Sequence, residues 1–149
     1  MKDKHIHAHM KSAYNYAECS TAERLKVGCV LVKDDRIISI GYNGMPSGWS
    51  NKCETLSFFL NGKQLPSQIL VTKPEVSHAE ENAITKLAKS TESGEGATAF
   101  ITHAPCMPCA RLLHGSGIIE VFYVNTYRDN SGLDFLKECG VKLTKIEGA

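Results

Sequence analysis

His78-Ala79-Glu80 and, farther along the chain, Pro105-Cys106-Met107-Pro108-Cys109 constrain this chain more than any other feature. One histidine and two cysteines can share a metal ion only if the fold brings two distant segments to one point. A structural zinc site closes its coordination with four protein ligands, whereas a catalytic one uses three and leaves a position open. His78, Cys106 and Cys109 supply three, and Glu80 stands beside them as a carboxylate. The set predicts a hydrolytic zinc (Zn2+) centre, not a zinc knuckle.

Local chemistry supports that reading. Cys106 and Cys109 are three residues apart at the start of a predicted helix, Cys106–His114, so their sulfurs share one face. Pro105 sits at or just before the first turn, where proline is favoured. A helix N-terminus carries partial positive charge, which favours the thiolate that zinc requires. His78 likewise opens a predicted helix, His78–Lys89, whose inner face is Ala79, Ala83, Ile84, Leu87 and Ala88. Ser77 fits as its N-cap, with Glu80 completing a capping box. Glu80 therefore has two readings. It caps the helix, or, about 200° around a regular helix from His78, it stays off the metal and serves a metal-bound water as a proton shuttle.

The rest of the chain alternates strand and helix signals. His5–Glu18 has helical apolar spacing, and its histidine-rich start, His5-Ile6-His7-Ala8-His9, reads as solvated. Val27–Val32 and Ile37–Ile40 read as a hairpin turning at Lys33-Asp34-Asp35-Arg36. Gly41–Gly48, with Pro46 among its glycines, is a shaped loop. Residues 47–77 read as an insertion of irregular or short helical structure. Ala97–Thr102, Ile118–Val124 and Val141–Ile146 are strands, and Gly132–Glu138 is a short helix. The pattern predicts one domain over residues 1–149, a three-layer α/β/α sandwich with a mixed five-stranded sheet.

Bulk properties narrow the function classes. A chain of 149 residues can bury a core without staples. A formal net charge of +1 leaves no footprint for many phosphates, which argues against a nucleic-acid polymer as partner. The start, Met1–Met10, is polar, so neither a secretory signal nor a membrane span is expected. The six cysteines, one pair of them with metal spacing, then fit a reducing cytoplasm better than a disulfide frame. Cys29 and Cys139 read as core thiols.

Val27-Gly28-Cys29-Val30-Leu31-Val32, Gly41-Tyr42-Asn43-Gly44-Met45-Pro46-Ser47-Gly48, His78-Ala79-Glu80-Glu81-Asn82-Ala83-Ile84 and Pro105-Cys106-Met107-Pro108-Cys109-Ala110 together resemble the deoxycytidylate (dCMP) deaminase family. The order H-x-E…P-C-x-x-C is that of the zinc-dependent nucleobase deaminases. The resemblance implies a cytidine deaminase-like fold and hydrolysis of dCMP to dUMP and ammonia, supplying dUMP for dTMP synthesis. It implies Asn43 on the deoxyribose and a homo-oligomer, typically a hexamer, activated by dCTP and inhibited by dTTP near Met45 and Pro46. Phosphate candidates are Arg24 and Lys26, then Ser77 and Tyr127. Other cytosine nucleotides or nucleosides (dCTP, a modified dCMP, cytidine) stay open as substrates, as does a non-catalytic zinc-folded nucleotide-binding module. His103 reads as a pocket wall or as a fourth ligand. Cys19, Cys53 and an amino-terminal histidine are the one route to a second zinc site.

Overall fold

The computed structural model of the chain describes residues 1–147. In chain order the elements are α1 (Asp3–Ala17), β1 (Gly28–Lys33), β2 (Arg36–Tyr42), β3 (Glu54–Leu60), β4 (Lys63–Thr72), α2 (Ala79–Ala88), β5 (Thr98–His103), α3 (Met107–Gly115), β6 (Glu120–Asn125), α4 (Ser131–Glu138) and β7 (Lys142–Lys145). Five strands form one sheet in the order β2-β1-β5-β6-β7. β1 runs antiparallel to both its neighbours, while β5, β6 and β7 are parallel and joined by helical crossovers. The mixed five-stranded sandwich expected from the pattern is the one found.

Period-two alternation sorts the strand side chains between two helical layers. Val30, Val32, Phe100 and Phe122 face α1 and pack on Met10 and Ala13. The Phe100 and Phe122 rings stack at 4.9 Å between centroids. Cys29, Leu31, Ala99, Ile101 and Val121 face the opposite layer, against Ala83, Leu87, Ala110, Leu113 and Leu136. Among the described residues no helix is long and apolar enough to cross a membrane.

The first hairpin turns where expected, and for a stated reason. Asp34 and Asp35 both adopt positive φ, 52° and 59°, as a two-residue hairpin turn demands. Asp35 then accepts hydrogen bonds from His5 Nδ1 and from His9 Nε2, the latter at 2.8 Å. So the histidine-rich start is only partly solvated: His9 is buried and ties α1 to the hairpin.

Residues 47–77 correct the sequence reading. They hold no helix; most of the segment is β3 paired antiparallel with β4, a two-stranded sheet separate from the main one. Asn61 and Gly62, at φ 52° and 79°, make the turn.

Two close approaches set the helices on the sheet. A Cβ at Gly41 in β2 would lie 2.2 Å from the Ala79 carbonyl oxygen of α2. One at Gly132 in α4 would lie 2.1 Å from the carbonyl oxygen of Pro105, just ahead of α3. Both contacts are with backbone, which cannot swing aside as a side chain can. Gly41→Ala should therefore push α2 off the sheet and lower stability by about 1–3 kcal/mol, read as a reduced denaturant midpoint with partial loss of bound zinc.

Candidate metal centre and active site

Both sequence motifs end up as helix caps. His78 is the N-cap of α2 and Cys106 the N-cap of α3, each with extended backbone, ψ 161° and 170°. The N-cap of α2 is thus His78, not Ser77, and the capping-box partner moves by one residue. The His78 N–H donates to Glu81 Oε1 at 2.9 Å. Glu81 caps the helix and Glu80 is relieved of that duty, which resolves its two readings.

Placed this way, the three candidate ligands converge. His78 Nδ1 lies 3.5 Å from Cys106 Sγ and 3.3 Å from Cys109 Sγ. All three ligand atoms lie within 4.8 Å of one another. A tetrahedral ion with bonds of about 2.0 Å to nitrogen and 2.3 Å to sulfur separates those ligands by roughly 3.5 Å. The geometry therefore fits zinc, with three protein ligands and a position to spare. Among the described residues this is the one such cluster. His103 is not part of it, and Cys19 and Cys53 form no second one.

Without a metal, the three groups share protons among themselves. Hydrogen bonds from Cys109 and His78 hold the Cys106 thiol far below its ordinary range, as a thiolate. That thiolate and burial in turn raise Cys109, and the bond to Cys106 raises His78 to about 9. Zinc binding would displace these shared protons.

Glu80, the second residue of α2, is only 4% exposed. Burial is the main cause of its pKa of about 7, with the negative charge of Cys106 adding to it. A carboxyl with that pKa can accept a proton and give it back at neutral pH, as a general acid–base group must.

Glu80, His78 and Cys106 open onto a pocket of about 490 Å³ that is also lined by Arg24, Asn43, His103 and Tyr127. The pocket lies at the carboxyl end of β5, where α/β sheets ordinarily hold their ligands. His103 is a wall residue. Its Nδ1 is 2.8 Å from Thr102 Oγ1, which itself accepts the Gly28 N–H at 3.2 Å. The Thr102 hydroxyl thus pairs with both the Gly28 backbone and the His103 ring and fixes the ring against the pocket. Burial keeps His103 below its ordinary pKa. Its ring stacks on Tyr127 at 5.9 Å, and burial raises the Tyr127 phenol to about 12.

The remaining expected residues divide. Asn43 lines the pocket, but its carboxamide also shapes it: Oδ1 accepts the Val27 N–H at 2.9 Å and Nδ2 donates to the Leu25 carbonyl at 2.8 Å. One amide hydrogen stays available to a ligand. Arg24 reaches the pocket, with Nη1 donating to Thr72 Oγ1 at 3.3 Å. Lys26 and Ser77 do not line it. Ser77 instead bridges its backbone to Gly44, N to O at 3.0 and 3.1 Å, and so ties the Asn43 loop to His78. Met45 faces a different cleft with Trp49, Thr55 and Val71, and Pro46 does not line that cleft. Sequence reasoning missed Cys53, Glu54 and Thr72, which wall the pocket from the β3–β4 segment. Their signal was hidden once that segment was read as irregular.

Known proteins resemble this chain in sequence and fold. The model of the cytidine and deoxycytidylate deaminase zinc-binding region matches residues 3–125. The deoxycytidylate deaminase of Enterobacteria phage T4 is 33% identical, over 92% of this chain and 87% of its own length. That of Mycobacterium phage D29 is 40% identical, over 72% of this chain and 84% of its own. The crystal structure of the dCMP deaminase from cyanophage S-TIM5 in complex with dCMP and dUMP superposes with a TM-score of 0.85 at 39% identity, covering 98% of this chain and 99% of that one. A chain matched over this extent, with the zinc-ligand cluster in place, belongs to the deoxycytidylate deaminase family.

Proposed function

We propose that this chain hydrolyses dCMP to dUMP and ammonia, supplying dUMP for dTMP synthesis. The observation that carries the reading is a buried, proton-accepting Glu80 beside a three-ligand cluster, His78, Cys106 and Cys109, in one pocket. The likeness to the S-TIM5 enzyme, whose structure holds dCMP and dUMP, supports the choice of substrate.

His78, Cys106 and Cys109 would hold the zinc ion, which when bound would supply a water of near-neutral pKa. Glu80 takes one proton from the attacking water and delivers it to ring N3. It carries the second to the amino nitrogen on C4, whose bond to carbon breaks as ammonia leaves and the C4 carbonyl forms. Both water protons are accounted for, and one carboxylate suffices because its pKa lies near neutrality. The His103–Tyr127 stack forms a flat wall beside the reacting ring. Asn43 meets the sugar with its remaining amide hydrogen. Arg24 meets the phosphate, being a guanidinium that lines the pocket, and Tyr127 adds a hydroxyl. Ser77 contributes from outside the pocket wall, through the Asn43 loop it anchors, and Lys26 lies off the pocket.

The wider setting follows the family resemblance. Residues 1–149 act as one cytoplasmic deaminase domain in a homo-oligomer, a hexamer by resemblance. dCTP activates and dTTP inhibits through the Met45–Pro46 loop, whose Met45 lines a cleft apart from the reacting centre. A net charge of +1 supports a small nucleotide, not a polymer, as the ligand.

Mutants, metal removal and a substrate panel test this reading. Glu80→Gln should keep its zinc and lose kcat by about 10²–10⁴-fold; no turnover in the wild type or the variant would leave only a nucleotide-binding module. Cys109→Ser should lose zinc on dialysis, and chelation of the wild-type protein should lower its Tm, since ligand-bound native states are stabilised by mass action. Across a panel of dCMP, deoxycytidine, cytidine and dCTP, with and without dCTP and dTTP as effectors, dCMP should turn over best. Arg24→Ala should raise KM for dCMP roughly tenfold or more, a loss of about 1.5–3 kcal/mol for a charged hydrogen bond, and leave deoxycytidine unaffected. Equal rates on dCMP and deoxycytidine would sink the phosphate assignment.

A further inference from the structure

Residues 18–27 join α1 to β1 with no helix or strand of their own, so their backbone groups must find partners elsewhere. Two clamps supply them. On the β1 side, Asn43 Oδ1 accepts the Val27 N–H at 2.9 Å and Nδ2 donates to the Leu25 carbonyl at 2.8 Å. On the α1 side a single oxygen, Glu54 Oε2, accepts the N–H groups of both Glu23 and Arg24, each at 2.9 Å. Arg24 stands between the clamps, and among the described residues it is the one Lys or Arg on the pocket wall.

The β3–β4 hairpin grips Arg24 a second time, because Thr72 Oγ1 accepts from its Nη1 at 3.3 Å. Glu54 and Thr72 lie opposite one another on the β3–β4 ladder, and residues so paired project from the same face. One rung of the hairpin thus carries the carboxylate that fixes the Arg24 backbone and the hydroxyl that fixes its guanidinium. The rung is at the hairpin's base, beside the buried Cys53, whose carbonyl accepts the Lys73 N–H at 2.8 Å. Thr21 Oγ1 donates to the Asn51 carbonyl at 2.7 Å and ties the same segment to that base. The kind of grip matters too. Glu54 directs its charge at backbone N–H groups, and among the described residues Arg24 enters no ion pair. A carboxylate on the guanidinium itself would compete with an anionic ligand; here the guanidinium is oriented without being neutralised.

We propose that Glu54 is a positioning residue for phosphate recognition: acting through Arg24, it makes this pocket prefer a nucleoside monophosphate to the nucleoside. The proposal rests on the assignment of Arg24 to the substrate phosphate made above. Without the carboxylate, the Glu23 and Arg24 N–H groups turn to water, which at so exposed a place costs the fold little. The segment that carries the guanidinium then loses its fixed aim, and a contact misplaced by about 1 Å is much weakened. The zinc-ligand cluster and Glu80 belong to α2 and α3 and their caps, so chemistry on a bound base is spared.

The test uses zinc-loaded full chains: wild type, Glu54→Ala, Glu54→Gln, Arg24→Ala and the double variant Glu54→Ala/Arg24→Ala. Turnover is measured on dCMP and deoxycytidine, and binding by calorimetric titration of dUMP and deoxyuridine. Glu54→Ala should raise KM for dCMP and Kd for dUMP roughly five- to tenfold, with kcat and deoxyuridine binding kept. Glu54→Gln, whose amide oxygen still accepts both N–H groups, should recover most of that loss. The double variant should bind dUMP no worse than Arg24→Ala alone, since a residue acting through another adds nothing once the other is gone. Thr72→Val removes the hydroxyl and keeps the branched shape; it should give a smaller loss of the same kind, and it reads the grip should Glu54→Ala fail to hold zinc. A loss shared equally by dUMP and deoxyuridine, a fall in kcat alone, no recovery with Gln, or additive losses in the double variant overturns the proposal. If Arg24→Ala weakens dUMP and Glu54→Ala does not, the proposal alone falls. If Arg24→Ala leaves dUMP binding unchanged, the phosphate assignment falls and takes the proposal with it. The expected binding pattern in a protein that turns over no dCMP would refute the deaminase reading and leave the role of Glu54 intact.

Discussion

Everything chemical in this molecule depends on two helix N-termini aimed at one point. His78 and Cys106 are both N-caps, and a cap residue is extended where the residues after it are helical. That switch turns each side chain away from its own helix axis and towards the other helix. The free N–H groups and partial positive charge of α3 then favour thiolate at its N-cap, Cys106. The aim is held by backbone contact: Gly41 lets β2 touch α2, and Gly132 lets α4 touch the turn before Cys106. Side-chain bonds reinforce the first of these seats. Asn82 Nδ2 donates to the Tyr42 carbonyl and Ser39 Oγ to the Ala83 carbonyl, each at 2.7 Å.

The same geometry divides labour between adjacent carboxylates. Glu81, at the third helical position, reaches back to the cap N–H and stays half-buried. Glu80, one residue earlier, points into the pocket and is desolvated. One neutralises a helix end; the other acquires a pKa suited to moving protons. A shift of the cap by one residue would exchange the two roles, which is why the identity of the N-cap matters more here than helix length.

The β3–β4 segment shows why some of the fold was hard to see. Strands in the main sheet announce themselves by burial: Val30 to Val32 and Ala99 to Ile101 are apolar because helices cover both their faces. β3 and β4 are mostly exposed and nowhere fully buried, so Ser, Gln, Lys and Pro intrude and the alternation blurs. One legible signal remained. Asn61-Gly62 between Leu60 and the strand beginning at Lys63 is the strongest short-range mark of a two-residue hairpin, and it makes the turn. Composition outweighed turn chemistry in the sequence reading, and with it went Cys53, Glu54 and Thr72 as pocket residues.

By itself, the sequence determined the metal chemistry and the layer order. Ligand identity follows from residue type and motif, and strand and helix order from local periodicity, both of which are properties of short stretches of chain. Only the tertiary structure decided which glutamate is free, which basic residue reaches the pocket, and that His103 is a wall residue and not a ligand. Arg24 and Lys26 are alike in sequence, yet only Arg24 is turned inward, where Glu54 and Thr72 from a distant hairpin hold it. His103 becomes a wall residue because its Nδ1 pairs with the Thr102 hydroxyl, which itself accepts the Gly28 N–H from the neighbouring strand. Such assignments depend on desolvation and on partners remote in sequence, and no local pattern encodes either.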